Sequence, residues 1–123
     1  MSKTYEEQVL QNWEEVFRQG LLTYWVLLAL SIDEYSVQDL RKKVAELTNN
    51  TYTTSGQVLY RLLRKHYDLE LVNVKKVDGN RGPKKKLYSI SDLGKSVLSE
   101  FSKRNISLFY KDEIKRLIKG ENR

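Results

Sequence analysis

The chain contains no cysteine, one histidine and one proline in 123 residues. Without cysteine it cannot form a disulfide, a thiolate nucleophile or an iron–sulfur cluster, and the single histidine, His66, cannot build a zinc finger. A glycine-rich phosphate loop is also absent, and no pattern of acidic residues accompanies His66. We therefore predict that the protein is not an enzyme and binds no metal or cofactor.

Long hydrophobic runs are absent as well. The most apolar segment, Leu21 to Leu30, is about half the length of the roughly 20 residues that a membrane-spanning helix needs. The first residues, MSKTYEEQVL, include acids and lack the basic and then apolar order of a secretory signal. The sequence predicts a soluble cytoplasmic protein with no membrane partner, and its length allows one modest core.

Positive charge is concentrated in the middle of the chain. The net charge is +6, and residues 51–91 hold nine Lys and Arg against three Asp and Glu, whereas residues 1–50 hold five against eight. Such clustering is typical of a surface that contacts a polyanion, so nucleic acid is the leading partner class. The alternative is a solvated basic surface without a ligand.

Hydrophobic periodicity predicts two helices at the start of the chain. Apolar residues recur at helical spacing over 5–17, with Val9, Trp13 and Phe17 among them. Gly20 interrupts this pattern. Residues 21–31 are then apolar nearly all round, as in the central helix of a small bundle.

Two capping signatures predict the next helices. Ser36 and Asp39 form a capping-box-like pair at the start of a third helix, which the pair Asn49-Asn50 ends. Thr54 with Gln57 repeats the signature before a fourth helix. Two capped helices flanking a short turn are typical of a helix-turn-helix unit.

The fourth helix has two unlike faces on a helical wheel. One face collects the packing residues Val58, Leu59, Leu62, Leu63 and His66. The other face offers cations, an amide and a phenol, which suit the major groove because Arg and Gln bind base edges bidentately. Hydroxyls and N–H groups at the helix start are expected to bind phosphates. The predicted DNA-contacting residues are Thr53, Thr54, Ser55, Gln57, Tyr60, Arg61, Arg64 and Lys65.

After Leu69 the periodicity changes to two, which predicts a β-hairpin with strands over 71–77 and 84–90. The intervening residues 78–83 are rich in turn formers. Six cations on its tip and flanks are expected to reach a phosphate backbone or an adjacent minor groove. They are Lys75, Lys76, Arg81, Lys84, Lys85 and Lys86.

Two more helices are predicted after the hairpin, one capped by Ser91 and one over 105–119. The last helix carries an apolar stripe of Ile106, Phe109, Tyr110, Ile114, Leu117 and Ile118. A monomer exposing this stripe would have an unusually large apolar patch, which a second copy would cover. We predict a mostly α fold with a two-stranded β-wing: an N-terminal helix (1–18), a winged helix-turn-helix domain (19–104) and a C-terminal dimerisation helix (105–123).

Four stretches, taken together, resemble the PadR-like transcriptional regulators in order and spacing over about residues 19–99. They are GLLTYWVLLALS, YSVQDLRKKVAELT, TTSGQVLYRLLRK and GPKKKLYSISDLGKSVL. The resemblance implies a homodimer that binds palindromic operator DNA, usually as a repressor, with release by an effector in some members. It also implies dimerisation through the C-terminal helix together with the N-terminal region, hence through Val9, Trp13 and Phe17 as well as the C-terminal stripe.

The sequence departs from the family pattern at two positions. Glu70 stands where a glycine is usual at the corner between helix and strand, so the geometry of that corner is open. His66 replaces a usual leucine, and we interpret it as a partly buried histidine whose charged form the helix dipole favours.

Other functions stay open at this point. A winged helix also serves as a protein-binding module, and a DNA-binding architectural protein needs no sequence preference. Trp13 and Trp25 are candidates to line a cavity for a small aromatic effector, although aromatic residues at helical spacing more often belong to a core.

Overall fold

The computed structural model of the chain describes residues 2–79 and 82–121. These residues form five α-helices, a two-stranded antiparallel sheet and two irregular helical turns. In chain order the elements are α1 (Ser2–Leu30), α2 (Val37–Leu47), α3 (Gly56–Asp68), β1 (Val72–Val77), β2 (Lys85–Ile90), α4 (Asp92–Phe101), a π-helical turn (Ser102–Ile106), a 3-10 turn (Ser107–Tyr110) and α5 (Asp112–Ile118). This order confirms the predicted winged helix-turn-helix class.

The hydrophobic core lies where the second half of α1 meets α2, α3 and the sheet. The largest fully buried side chains come from all of these elements except β2 and are Leu40, Leu59, Leu63, Val26, Val44 and Val72. Burying one such side chain stabilises the fold by about 1.5–3 kcal/mol. The buried apolar residues of α2 and α3 therefore provide the contact between these two helices and the rest of the domain.

The wing, formed by β1 and β2, is also joined to the chain just before α2. The Tyr35 N–H donates to the Tyr88 carbonyl at 3.0 Å, and the Tyr88 N–H donates to the Tyr35 carbonyl at 2.8 Å. β2 thus lies between β1 and this short segment. The position of the wing relative to the helices is consequently set by backbone hydrogen bonds as well as by side-chain packing.

The predicted break at Gly20 is wrong, because α1 runs without interruption from Ser2 to Leu30. A glycine in a helix interior costs only about 1 kcal/mol relative to alanine, and the residues around it are good helix formers. Only the second half of α1 packs in the core, where Val26, Ala29 and Leu30 are buried. The first half extends away from that core.

The single helix predicted over 105–119 is also wrong. After α4 the chain forms the π-helical turn and the 3-10 turn, is extended at Lys111, and then forms the short α5. The side chains of Ser102, Asn105 and Ser107 donate to backbone carbonyls four residues earlier, at 2.9, 3.2 and 2.7 Å. Such bonds compete with the regular helical pattern and bend helices. Within residues 2–79 and 82–121, no helix is long and apolar enough to cross a membrane.

Gly94 provides a test of how α4 packs. A Cβ atom at this position would overlap the Leu71 carbonyl oxygen and lie 2.8 Å from Cγ1 of Ile90. Gly94→Ala should therefore lower the free energy of unfolding by about 1–3 kcal/mol, measured by urea denaturation. Gly20→Ala is the matched control, because nothing lies within 4 Å of its Cβ position. This second variant should raise stability by about 0.5–1 kcal/mol, and equal effects of the two would contradict the packing described.

Candidate nucleic-acid interface

Short polar residues define where α2 begins, where it ends and where α3 begins. Ser36 caps α2 as predicted, its side chain accepting from the Asp39 N–H at 3.2 Å. Asn49 and Asn50 end that helix with φ angles of 52° and 64°, a left-handed conformation that asparagine tolerates better than most residues. The predicted cap at Thr54 is wrong by one residue. Ser55 caps α3, its Oγ accepting from the Val58 N–H at 3.1 Å.

α3 presents the polar face that the helical wheel predicts. Leu59, Leu63 and His66 are buried against the core, and Leu62 is half-buried. Val58, predicted to pack, is instead 46% exposed. The exposed side carries the residues predicted to contact DNA, namely Gln57, Tyr60, Arg61, Arg64 and Lys65.

His66 is a buried member of the core. Only 4% of its surface is exposed, and its Nε2 lies 3.1 Å from the Thr23 hydroxyl of α1. Burial lowers the pKa of its imidazole, and the charge of Lys65 lowers it further. The pKa of His66 is thus shifted in the direction opposite to the one that the helix dipole was predicted to give.

The corner between α3 and β1 keeps a tight geometry without glycine. Glu70 adopts a left-handed conformation with φ of 64°. Its N–H donates to the Tyr67 carbonyl at 2.9 Å, and the Leu71 N–H donates to the His66 carbonyl at 2.9 Å. Ser91 donates its hydroxyl to the Glu70 carbonyl at 2.6 Å. Glu70 thus takes the left-handed conformation that a glycine at this corner would adopt without strain.

The strand register divides the wing lysines between two faces. Lys76 is paired directly opposite Lys86, on the face shared by the pair Val74 and Tyr88, which we call the inner face. Lys75 lies opposite Leu87, and Lys85 opposite Val77, on the other face, which we call the outer face. Lys84 is exposed just before β2, and Arg81 lies outside the described residues. The five predicted wing cations that the structure describes therefore do not form one uniform patch.

The two lysines of the outer face have carboxylate partners near the start of α2. Lys75 Nζ lies 3.1 Å from a Glu34 carboxylate oxygen, and Lys85 Nζ lies 3.9 Å from one of Asp39. Both pairs are exposed, and such pairs contribute about 0–1 kcal/mol. They nonetheless reduce the positive charge that this face presents.

The inner face of the wing and α3 enclose a cleft of about 420 Å³. Its lining residues are Tyr60, Arg64, Tyr67, Asp68, Val74, Lys76, Lys86 and Tyr88. Lys86 Nζ lies 5.5 Å from the centre of the Tyr60 ring, within cation–π distance. Burial raises the pKa of Tyr88 at the base of the cleft. Polar residues of α3 and two wing lysines thus form one continuous surface.

A second groove of about 300 Å³ lies between α2 and the residues before α3, and sequence reasoning missed most of it. Its lining residues are Gln38, Arg41, Lys42, Ala45, Thr53 and Thr54. Arg41 donates its Nε–H to the Thr54 carbonyl at 2.9 Å and an Nη1–H to Gln38 at 3.1 Å. Gln38 and Arg41 are three residues apart at the start of α2. This spacing is a weak sequence signal, because only the helix packing brings them to Thr54.

The residues predicted for dimerisation are largely exposed but lie on separate segments. Val9, Trp13 and Phe17 are on the first half of α1, where Trp13 is 73% exposed. Of the C-terminal set, Ile106 and Ile114 are half-buried, and the rest, Phe109, Tyr110, Leu117 and Ile118, are exposed. These six side chains do not share one helix, because the chain is extended at Lys111.

The two tryptophans are far apart within the protomer. The Trp25 ring packs at 6.0 Å from that of Tyr52, whereas Trp13 lies twelve residues earlier in α1. A helical rise of 1.5 Å per residue separates them by about 18 Å. They do not line one cavity within the protomer, so binding of an aromatic effector stays a prediction. In the described parts of the chain, no cluster of three or more histidine and acidic residues could hold a metal ion.

Comparison with known proteins agrees with this geometry. The sequence model of the transcriptional regulator PadR-like family matches residues 26–100, which is more than half of the chain. The chain belongs to this family. The family members are transcriptional regulators, in agreement with the prediction that the protein is not an enzyme.

Solved structures of PadR-like proteins share the fold. A PadR-like transcription factor from Bacteroides fragilis is 26% identical with a TM-score of 0.66, over 79% of this chain and 91% of that chain. One from Eggerthella lenta is 22% identical with a TM-score of 0.69, over 94% and 96%. PadR of Bacillus subtilis, solved in complex with operator DNA, is 23% identical with a TM-score of 0.60, over 66% of this chain. This PadR-like chain matches only 46% of the Bacillus subtilis chain.

The corrected cap of α3 in this PadR-like chain can be tested by alanine substitution. Ser55→Ala should lower the free energy of unfolding by about 1 kcal/mol, because the Val58 N–H loses its acceptor. Thr54→Ala should cost less, since the Thr54 side chain caps no helix among the described residues. Urea denaturation followed by circular dichroism measures both. An equal loss in the two variants would contradict a cap at Ser55.

Proposed function

We propose that this PadR-like protein is a homodimeric repressor that binds a palindromic operator in double-stranded DNA. The observation that carries the proposal is the continuous surface formed by the polar face of α3 and the inner face of the wing. Both the helix and the hairpin bear cations there, as expected of an element that enters a groove and one that lies beside it. The protein would act in the cytoplasm, where a bacterial or archaeal operator is found.

Gln57, Tyr60 and Arg61 are the proposed base-reading residues. All three are exposed in the first two turns of α3, the part of a recognition helix that contacts base edges in helix-turn-helix proteins. Arg binds guanine and Gln binds adenine bidentately, and each good pair contributes about 1–3 kcal/mol of discrimination. This face is therefore suited to sequence-specific binding.

Other side chains of the surface are proposed to hold phosphates. Thr53 lines a groove with Arg41 and Lys42 of α2, and Ser55 caps the start of α3. The remaining cations of this set are Lys65 and Lys84. Contacts of this kind are independent of sequence and make the affinity depend steeply on salt, because each releases condensed counterions.

Arg61→Ala tests base reading. The operator is first selected from a random DNA pool, and fluorescence anisotropy then measures Kd for the operator and for random DNA. The variant should reduce the ratio of the two Kd values by about 5- to 150-fold, which corresponds to the 1–3 kcal/mol that one base pair recognised bidentately contributes. Arg104→Ala is the matched control, because Arg104 is exposed on the π-helical turn, away from α3. An unchanged ratio would remove Arg61 from the reading set.

The exposed first half of α1 supports the dimer. The whole helix is about 43 Å long at 1.5 Å per residue, and its apolar residues repeat along one stripe, namely Tyr5, Val9, Trp13, Val16 and Phe17. Each is at least 48% exposed. A second copy that covers this stripe would remove the apolar surface from water. The dimer would present its two α3 helices to major grooves roughly 34 Å apart, or a multiple of that distance.

Trp13→Glu tests the dimer. A buried interfacial tryptophan typically contributes about 2 kcal/mol or more, and the dimer has two copies of Trp13, so its dissociation constant should rise by at least about 30-fold. Sedimentation velocity over a concentration series measures this shift. Ile32→Glu is the control, since Ile32 is similarly exposed but lies in the turn after α1. A monomeric wild-type protein, or equal effects of the two variants, would contradict dimerisation through α1.

A further inference from the structure

Three cations converge on the cleft between α3 and the wing. Arg64 comes from α3, and Lys76 and Lys86 come from the two strands. Asp68 is the one carboxylate among the lining residues. The described residues that line the cleft therefore carry an excess of positive charge, three cations against one carboxylate.

The pairing of Lys76 with Lys86 is unfavourable for the fold alone. Like charges directly opposite each other in an antiparallel pair are destabilising. Within the described residues, neither lysine has a carboxylate within 4 Å, whereas Lys75 and Lys85 on the other face both do. Lys86 is moreover held towards α3 by the Tyr60 ring. Lys76 and Lys86 are thus placed to bind an anion that is not part of the protein.

Arg64 lies too far along α3 to belong with the proposed base readers. It follows Gln57 by seven residues, which is about 10 Å of helical rise. Base edges are contacted by the N-terminal part of a recognition helix. The helical wheel places Arg64 on the same side as the base readers, but a wheel does not show position along the helix axis. In the fold, Arg64 lines the cleft with the wing lysines.

We propose that this cleft is a clamp for the one DNA strand that separates the major groove from the adjacent minor groove. The inference rests on the proposed function. A helix in the major groove and a hairpin at the neighbouring minor groove must straddle that strand, because its phosphates form the wall between the two grooves. Arg64, Lys76 and Lys86 bind its phosphates, and Arg64 reads no base. Lys75 and Lys85 orient the wing through Glu34 and Asp39 instead.

The test uses the full-length protein and the variant Lys76→Glu. The new carboxylate faces Lys86, so it replaces a repulsive pair by an ion pair while it removes a cation that binds phosphate. Tm should therefore rise while the affinities for operator and random DNA both fall, by about tenfold or more at 0.15 M salt. The slope of log Kd against log salt should decrease by about 1 to 2, one unit for each phosphate that the variant no longer neutralises. A purely structural role of Lys76 would not give these opposite signs.

Two controls separate the clamp from general effects of charge. Lys95→Glu changes the net charge equally on exposed α4, and its salt slope should stay within 0.3 or so of the wild type. Lys75→Glu brings a carboxylate to Glu34 and should lower Tm.

Arg64→Ala tests the third residue of the clamp. It should decrease the salt slope by about 1 and preserve the ratio of operator to random Kd.

Neutral methylphosphonates, substituted one at a time around the operator, locate the clamped phosphates. The wild type should lose affinity at one or two positions between the major and minor grooves of each half-site, and Lys76→Glu should be insensitive there. The clamp is overturned if Lys76→Glu and Lys95→Glu have the same salt slope, or if Arg64→Ala compresses the ratio of operator to random Kd. These outcomes leave operator binding by the wild type intact. Failure of the proposed function would instead show as no selected operator at all.

Discussion

The wing is held beside α3 by hydrogen bonds of the backbone, and the candidate surface depends on them. On one side the N–H and carbonyl groups of Tyr35 and Tyr88 are mutually bonded. On the other side the Leu71 N–H reaches the His66 carbonyl, and the Ser91 hydroxyl reaches the Glu70 carbonyl. Buried backbone groups must be paired, so these bonds allow the hairpin only a narrow range of positions. Together with the packing of Val72 and Tyr88 in the core, these bonds set how α3 and the wing lie relative to each other.

The distribution of charge within the domain matters more than its total of +6. Glu34, just before α2, and Asp39, in its first turn, pair with Lys75 and Lys85 on the outer face of the wing. The inner face has no such partners among the described residues, and it meets α3. The lysines of the hairpin are thereby divided between two faces. The outer face contacts acids of the protein, and the inner face is available to an anion. The same alternation that directs Tyr88 into the core directs Lys86 towards α3.

The first half of α1 and the segment after α4 bury less of their apolar surface than the helices of the core do. The second half of α1 is buried, but the first half exposes a stripe that includes Trp13. The segment after α4 bends because the Ser102, Asn105 and Ser107 side chains bind backbone carbonyls. Neither end can bury its apolar side chains against its own core as fully as α2 and α3 do. The extended first half of α1 is therefore where association with a second copy is proposed.

The sequence by itself determined the features that depend on neighbouring residues: the caps at Ser36 and Ser91, the two faces of α3, and a hairpin whose strands were predicted to within one residue at each end. Local signals were misleading where two candidates adjoin, as at Thr54 and Ser55, or where one glycine competes with a long helix, as at Gly20. Only the tertiary structure decided that Arg41 reaches Thr54 and that Arg64 lines the cleft. It also decided that Lys75 and Lys85 form ion pairs, whereas Lys76 and Lys86 form none within the described residues. The physical reason is that capping and periodicity act within a few residues, whereas the partner of a charged side chain is set by the packing of elements far apart in the chain.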